Sequence, residues 1–235
     1  MTAAVDVGNT AIAYAVFQGS QVVREGRMPT YGDWSFPFDG VERAVIASVV
    51  PAVDARLLQE LSAYSPLLLT RDMLQGLDTG DYDVSNLGMD RLVDLYAARE
   101  LYGLPVAVFD SGTCLTVSVL GSGGRFLGGM IAPGVQTSLK ALHNWTRTLP
   151  EVEAGPCRSL LGTDTHSCLL SGTVVGAAAM VDGFLSRIEE ETGETFTAVL
   201  TGGFSELVLP WLRHDVKHEP RLQLQGLLLV SSTLR

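Results

Sequence analysis

The stretch Asp6-Val7-Gly8-Asn9-Thr10 returns 104 positions later as Asp110-Ser111-Gly112-Thr113, with Thr116 three residues beyond. Each copy follows a run of small or apolar residues and leads into an alternating stretch. That is the pattern of a strand, a tight turn and a second strand. A carboxylate at a strand end, a Gly turn and a hydroxyl can together grip a phosphate and its metal. The acid takes the cation, while Gly8, Gly112 and the threonines offer N–H and O–H groups to phosphate oxygens. Alone, a strand-end Asp before Gly is an ordinary turn residue. Its repetition at equivalent places favours a clamp that closes on a nucleotide from both sides.

Working outward, Ala3–Val7, Ala11–Phe17 and Gln21–Gly26 read as three strands around the first turn. Val41–Ser48 is a fourth, Ala52–Tyr64 has helical spacing, and Leu67–Leu69 is a short buried strand. Asp72–Leu87 is polar and irregular, a loop. Met89–Tyr102 is a helix that Gly103 stops. After Pro105 the plan repeats, with strands at Val106–Phe109, Cys114–Leu120 and Arg125–Ile131 and a helix at Ser138–Asn144. A long small-residue helical region follows at Thr165–Glu191, then a strand at Ala198–Leu200 and a closing helix at Leu222–Leu229. The order predicts a duplicated α/β protein divided near Leu104, with residues 1–104 and 105–235 as its halves and the active cleft between them.

The bulk numbers bound the function. In 235 residues, 46% are apolar and 18% charged, enough for a substantial core. The net charge of −10 argues against a nucleic-acid or anionic-membrane binder. Only two lysines occur, Lys140 and Lys217, and neither follows a Gly-rich loop, so a P-loop is excluded. No GxGxxG supports a dinucleotide site. Cys114, Cys157 and Cys168 have no metal-type spacing and read as reduced thiols of a cytoplasmic protein. The first residues carry no signal-peptide pattern, and no uninterrupted apolar run approaches the length of a membrane span.

Gly88-Met89-Asp90-Arg91 opens the Met89 helix. An acid in a first turn is favoured by the helix dipole alone. It can equally face a substrate hydroxyl and prepare it for attack on phosphorus, with Arg91 holding the acid or the substrate. The run from Gly128 to Gly134 is denser in Gly than a strand–helix junction needs, which suits tight packing or close approach by a ligand. Thr201-Gly202-Gly203 after a strand can cradle adenosine or phosphate. His214 and His218, four apart, have no third ligand nearby and read as a solvated surface pair. Cys114 reads as a packing residue.

These motifs, in order along nearly the whole chain, resemble those of the type III pantothenate kinases: DVGNT at 6–10, SVVP at 48–51, GMDR at 88–91, DSGTCLT at 110–116 and GGMIAPGV at 128–135. LGTDT at 161–165, SGTVVG at 171–176, TGG at 201–203 and LQLQGL at 222–227 continue the match. The resemblance implies an actin-like ATPase (ribonuclease H-like) fold and ATP-dependent phosphorylation of pantothenate, the first step of coenzyme A synthesis. It implies Asp90 as the catalytic carboxylate, and Asp6, Gly8, Asn9, Thr10, Gly112, Thr113, Gly202 and Gly203 around ATP and its phosphates. It further implies Mg²⁺ at Asp6, a monovalent cation (K⁺ or NH₄⁺) at Asp110, and pantothenate against Tyr82, Gly88, Met89, Arg91 and Thr165. A cytoplasmic homodimer is implied, with the 165–191 helix contributing to its interface. Two rival functions stay open: a non-catalytic regulatory member, and a nucleotidase or phosphatase on the same scaffold. A generic sugar kinase fits less well, because such enzymes usually carry larger insertions.

Overall fold

The computed structural model describes residues 1–80, 82–83 and 87–234. Asp81, Val84, Ser85 and Asn86 of the expected irregular segment, and the terminal Arg235, lie outside the described residues. The chain forms two compact units. One holds Met1–Leu101 and the segment from Arg221 onward; the other holds Tyr102–Pro220.

In the first unit, β1 (Thr2–Val7), β2 (Ala11–Gln18) and β3 (Gln21–Pro29) form an antiparallel meander. β4 (Arg43–Ser48) and β5 (Pro66–Leu68) continue it in parallel, giving the order β3-β2-β1-β4-β5. The parallel step is bridged by α1 (Pro51–Glu60), with Pro51 at its first position, where the missing N–H leaves no bond unmade. Alternation along β1 sends Ala3, Val5 and Val7 into one apolar cluster with Val53, Leu57 and Leu61. β3 alternates exposed and half-buried residues, as an edge strand does. α2 runs from Met89 to Tyr102, the span expected from its periodicity.

The second unit repeats this order strand for strand. β6 (Val106–Ser111), β7 (Cys114–Leu120) and β8 (Phe126–Pro133) are the meander; β9 (Thr197–Thr201) and β10 (Lys217–His218) are the parallel extension. The order is β10-β9-β6-β7-β8. Asp6 lies in register with Ala13 and Ala47, and Asp110 with Thr116 and Thr201. Both acids therefore stand near the carboxyl end of a central strand, between an antiparallel and a parallel neighbour. In open α/β sheets that end is where ligands bind.

Three expectations are revised. The closing helix α7 (Leu222–Thr233), placed with the second half from sequence order, packs on β1 and β4 of the first unit. Gly226 explains the seat: a Cβ there would meet the Val93 carbonyl oxygen at 2.9 Å and the Ala97 Cβ at 3.0 Å, so only Gly lets α7 press onto α2. The region expected as one helix from 165 is α4 (Thr165–Leu170), a π-turn over Ser171–Val175 and α5 (Gly176–Thr192). Thr173 Oγ1 donates to the carbonyls of Leu169 (2.8 Å) and Leu170 (3.2 Å) within the break. This same run, Thr165–Thr192, is long and apolar enough by length and composition to cross a bilayer. The expectation that no segment is so is corrected; here Val181 and Leu185 of the run sit in the apolar cluster over β6, β7 and β9.

Candidate active site

In the first unit the β1–β2 turn is closed by the Gly8 N–H donating to the Ala11 carbonyl (3.1 Å). Asp6 is half-buried, whereas Asn9 and Thr10 stand exposed at the crown. The Val49 N–H, just past β4, donates to the Val7 carbonyl (3.0 Å). A Cβ on Gly88 would lie 3.5 Å from the Val49 side chain, so the start of α2 is seated beside the ends of β1 and β4. Gly88, Met89, Asp90 and Arg91 are thereby brought next to the Asp6 turn.

Asp90 bends back over its own helix end. Its Oδ1 accepts from the Arg91 N–H at 2.8 Å, and a Cβ at position 88 would meet that oxygen at 2.2 Å. Gly88 is thus required by the acid's own conformation. Burial raises the Asp90 pKa above the ordinary carboxylate value; the Arg91 N–H and guanidinium pull it down, and burial prevails. A carboxylate so placed is a better base than a solvated one. Arg91 itself is buried.

The same shift carries a stability consequence. The folded chain binds the Asp90 proton more readily than the unfolded chain does. The contribution is therefore favourable at low pH and is lost as pH rises from the ordinary aspartate value of 3.8 through the raised one. Above that window the buried charge opposes folding. Asp90→Asn is expected to raise Tm by a few degrees at pH 7, with the gain closing below the ordinary carboxylate value. Tm against pH for both proteins checks this, and a lower Tm for the variant at pH 7 would contradict it.

In the second unit the turn is tighter. The Gly112 N–H donates to the Cys114 carbonyl (2.9 Å) and the Gly134 N–H to the Thr113 carbonyl (3.1 Å). Gly202, with φ +94°, closes over it: a Cβ there would meet Asp110 Oδ1 at 2.1 Å and the Ser111 N at 2.7 Å. The Phe204 N–H donates to the Ser111 carbonyl at 2.8 Å. Gly112, Thr113 and Gly202 are thus gathered around Asp110, with the exposed Gly203 adjoining. Gly134 belongs to this set, though the sequence showed only a Gly-dense run. A Cβ on it would lie 2.2 Å from the Gly112 carbonyl oxygen, so the close approach is by the turn's own backbone.

Tyr82 is partly exposed, its N–H on the Thr79 carbonyl (3.0 Å). Thr165 begins α4 behind the capping pair Asp164 and Ser167, and lines an apolar groove of about 760 Å³ with Leu142, Trp145, Leu169 and Met180. His214 and His218 share no helix. His214 Nδ1 meets Asp182 Oδ1 at 2.8 Å, and His218 Nε2 meets the Ser205 hydroxyl at 2.9 Å. Among the described residues no group of three or more His, Cys, Asp or Glu forms a metal cage. The oxygen donors at each turn suit instead a hard cation held by one or two carboxylates together with phosphate oxygens.

Two sheets of identical order, each with an acid–glycine turn at the carboxyl end of its central strand, make a duplicated α/β architecture. A Campylobacter jejuni protein assigned to the Baf family of transcriptional activators matches at TM-score 0.62 with 15% identity, covering 98% of each chain. A Sinorhizobium meliloti protein described as a 2-dehydro-3-deoxygalactonokinase matches at TM-score 0.57 with 14% identity, covering 100% of this chain and 97% of its own. These likenesses show the fold. The family model of the type III pantothenate kinases matches residues 3–187. A type III pantothenate kinase of Acidiphilium cryptum is 31% identical over 98% of this chain and 94% of its own length. One of Frankia alni is 34% identical over 98% of each. The chain belongs to the type III pantothenate kinase family.

Proposed function

We propose that this chain transfers the terminal phosphoryl group of ATP to the primary hydroxyl of pantothenate, giving 4'-phosphopantothenate and ADP at the entry to coenzyme A synthesis. The observation that carries the assignment is Asp90, a partly buried acid of raised basicity at a helix start beside the Asp6 turn. It orients the hydroxyl and takes its proton as the oxygen attacks phosphorus. Arg91 holds the acid, and Tyr82, Gly88, Met89 and Thr165 shape the pantothenate site. The Asp6 turn, through Gly8, Asn9 and Thr10, and the Asp110 turn, through Gly112, Thr113, Gly202 and Gly203, hold the phosphates. Mg²⁺ at Asp6 supplies neutralisation of phosphate charge. The Asp110 carboxylate suits a monovalent cation, K⁺ or NH₄⁺. Positioning and charge stabilisation then supply most of the rate.

The exposed Ile131, Trp145 and Leu161, together with the apolar groove beside Thr165, support assembly as a homodimer. The proposed ligands are small molecules, the setting is cytoplasmic, and the net charge of −10 speaks against nucleic acid. The test is ADP release with Mg²⁺ and ATP, with and without pantothenate, in K⁺ and in Na⁺. Turnover that needs pantothenate and is faster in K⁺ is expected. Turnover without pantothenate would mark a nucleotidase, and silence in every buffer a regulatory member.

A further inference from the structure

Thr30 is wholly buried, just past β3. Its N–H donates to the Thr10 carbonyl (3.3 Å) and its hydroxyl to the Gly8 carbonyl (2.5 Å). One residue thus holds both ends of the first phosphate turn from beneath. A trans peptide is planar, so the carbonyl of Gly8 and the N–H of Asn9 point in opposite directions. A hydroxyl that draws the Gly8 oxygen inward turns the Asn9 N–H outward, toward the exposed crown. An N–H fixed in that direction before a ligand arrives is what an anion site needs.

The second unit braces its turn with different residues and at one carbonyl, the counterpart of that of Thr10. Gly134 follows Pro133 as Thr30 follows Pro29, and its N–H bonds the Thr113 carbonyl as that of Thr30 bonds Thr10. Gly134 has no hydroxyl to offer. The second donor comes instead from Thr137, in α3 (Val135–Trp145), whose Oγ1 donates to the same Thr113 carbonyl at 2.6 Å. Both turns, at equivalent places in two sheets, are therefore braced by one backbone N–H and one threonine hydroxyl.

We infer that Thr30 is a positioning residue for ATP: its hydroxyl orients the Gly8–Asn9 peptide of the phosphate turn. The inference rests on that turn holding ATP phosphates. Valine matches threonine in shape but cannot donate. In Thr30→Val the Gly8 oxygen loses its partner and the peptide is free to turn toward water.

The test is steady-state kinetics in both substrates for wild type, Thr30→Val, Thr30→Ser, Thr137→Val and Asp6→Asn, with Tm for each. Thr30→Val is expected to raise KM for ATP about tenfold while KM for pantothenate stays within about twofold; Ser restores the ATP value. Thr137→Val is expected to change KM for ATP less, because the Thr113 carbonyl keeps the Gly134 N–H as a donor. If Asp6→Asn leaves ATP kinetics unchanged, the turn does not hold phosphate, and that reading falls together with the inference. If Asp6→Asn impairs ATP use but Thr30→Val lowers Tm alone, or raises both KM values alike, Thr30 merely packs and the inference is overturned. Should valine prevent folding, Thr30→Ala is read by the same split.

Discussion

Asp90→Asn lowers kcat about a thousandfold and leaves KM for pantothenate within about twofold, the pattern of an interaction realised in the transition state. Asparagine keeps the shape of the side chain and can still accept the Arg91 N–H through its amide oxygen. What it loses is the capacity to take a proton from the substrate alcohol. Burial makes the native acid the more effective base, because a carboxylate poorly solvated in its free state gains more on protonation. The wild-type rate is therefore expected to fall on the acid side at a pH above the ordinary aspartate value, and Asp90→Asn is expected to lack that limb. A pH profile of kcat for both proteins decides it. A variant with near-native kcat, or one that keeps the limb, would remove Asp90 from the proton transfer. Paired with the expected gain in Tm at neutral pH, the result would show a catalytic acid held where it opposes folding.

How much of this lay open in the chain depends on whether the determining contact is local. The meanders were readable because period-two alternation and Gly turns are properties of a few adjacent residues. Met89–Tyr102 was readable because its apolar spacing is regular and Gly103 stops it. α7 was not assignable, because an apolar helix does not say which sheet it covers; the answer lies in the fit of Gly226 against Val93 and Ala97, more than a hundred residues away. The π-turn at Ser171–Val175 was hidden for a related reason, since small residues suit α and π windings alike. At the site, repetition exposed Asp6 and Asp110. Thr30 and Gly134 gave no such signal, because each acts on a turn that is distant in sequence.

Gly202→Ala is expected to reduce kcat/KM for ATP by about a hundredfold or more, an effect comparable with loss of a directly bonded donor in a preorganised site. Two separate demands meet at this residue. Its φ of +94° lies where a Cβ strains the backbone, by about 1–3 kcal/mol. The added methyl would also sit 2.1 Å from Asp110 Oδ1 and 2.6 Å from the Ser111 carbonyl carbon, closer than any real contact allows. The carboxylate can swing away; the Ser111 backbone can yield only by moving the turn that carries Gly112 and Thr113. Both the proposed cation ligand and the proposed phosphate donors are therefore displaced by one methyl group. Gly123→Ala sets the baseline, since a methyl there meets nothing within 4 Å. Tm, KM for ATP and the K⁺ dependence of the rate, measured on both variants, separate the outcomes. Loss of stability with unchanged ATP and K⁺ dependence would mean that Gly202 serves the fold alone. A joint rise in KM for ATP and in the K⁺ needed for half-maximal rate would place both ligands on the same turn, because the methyl group's nearest contacts are Asp110 and the Ser111 backbone.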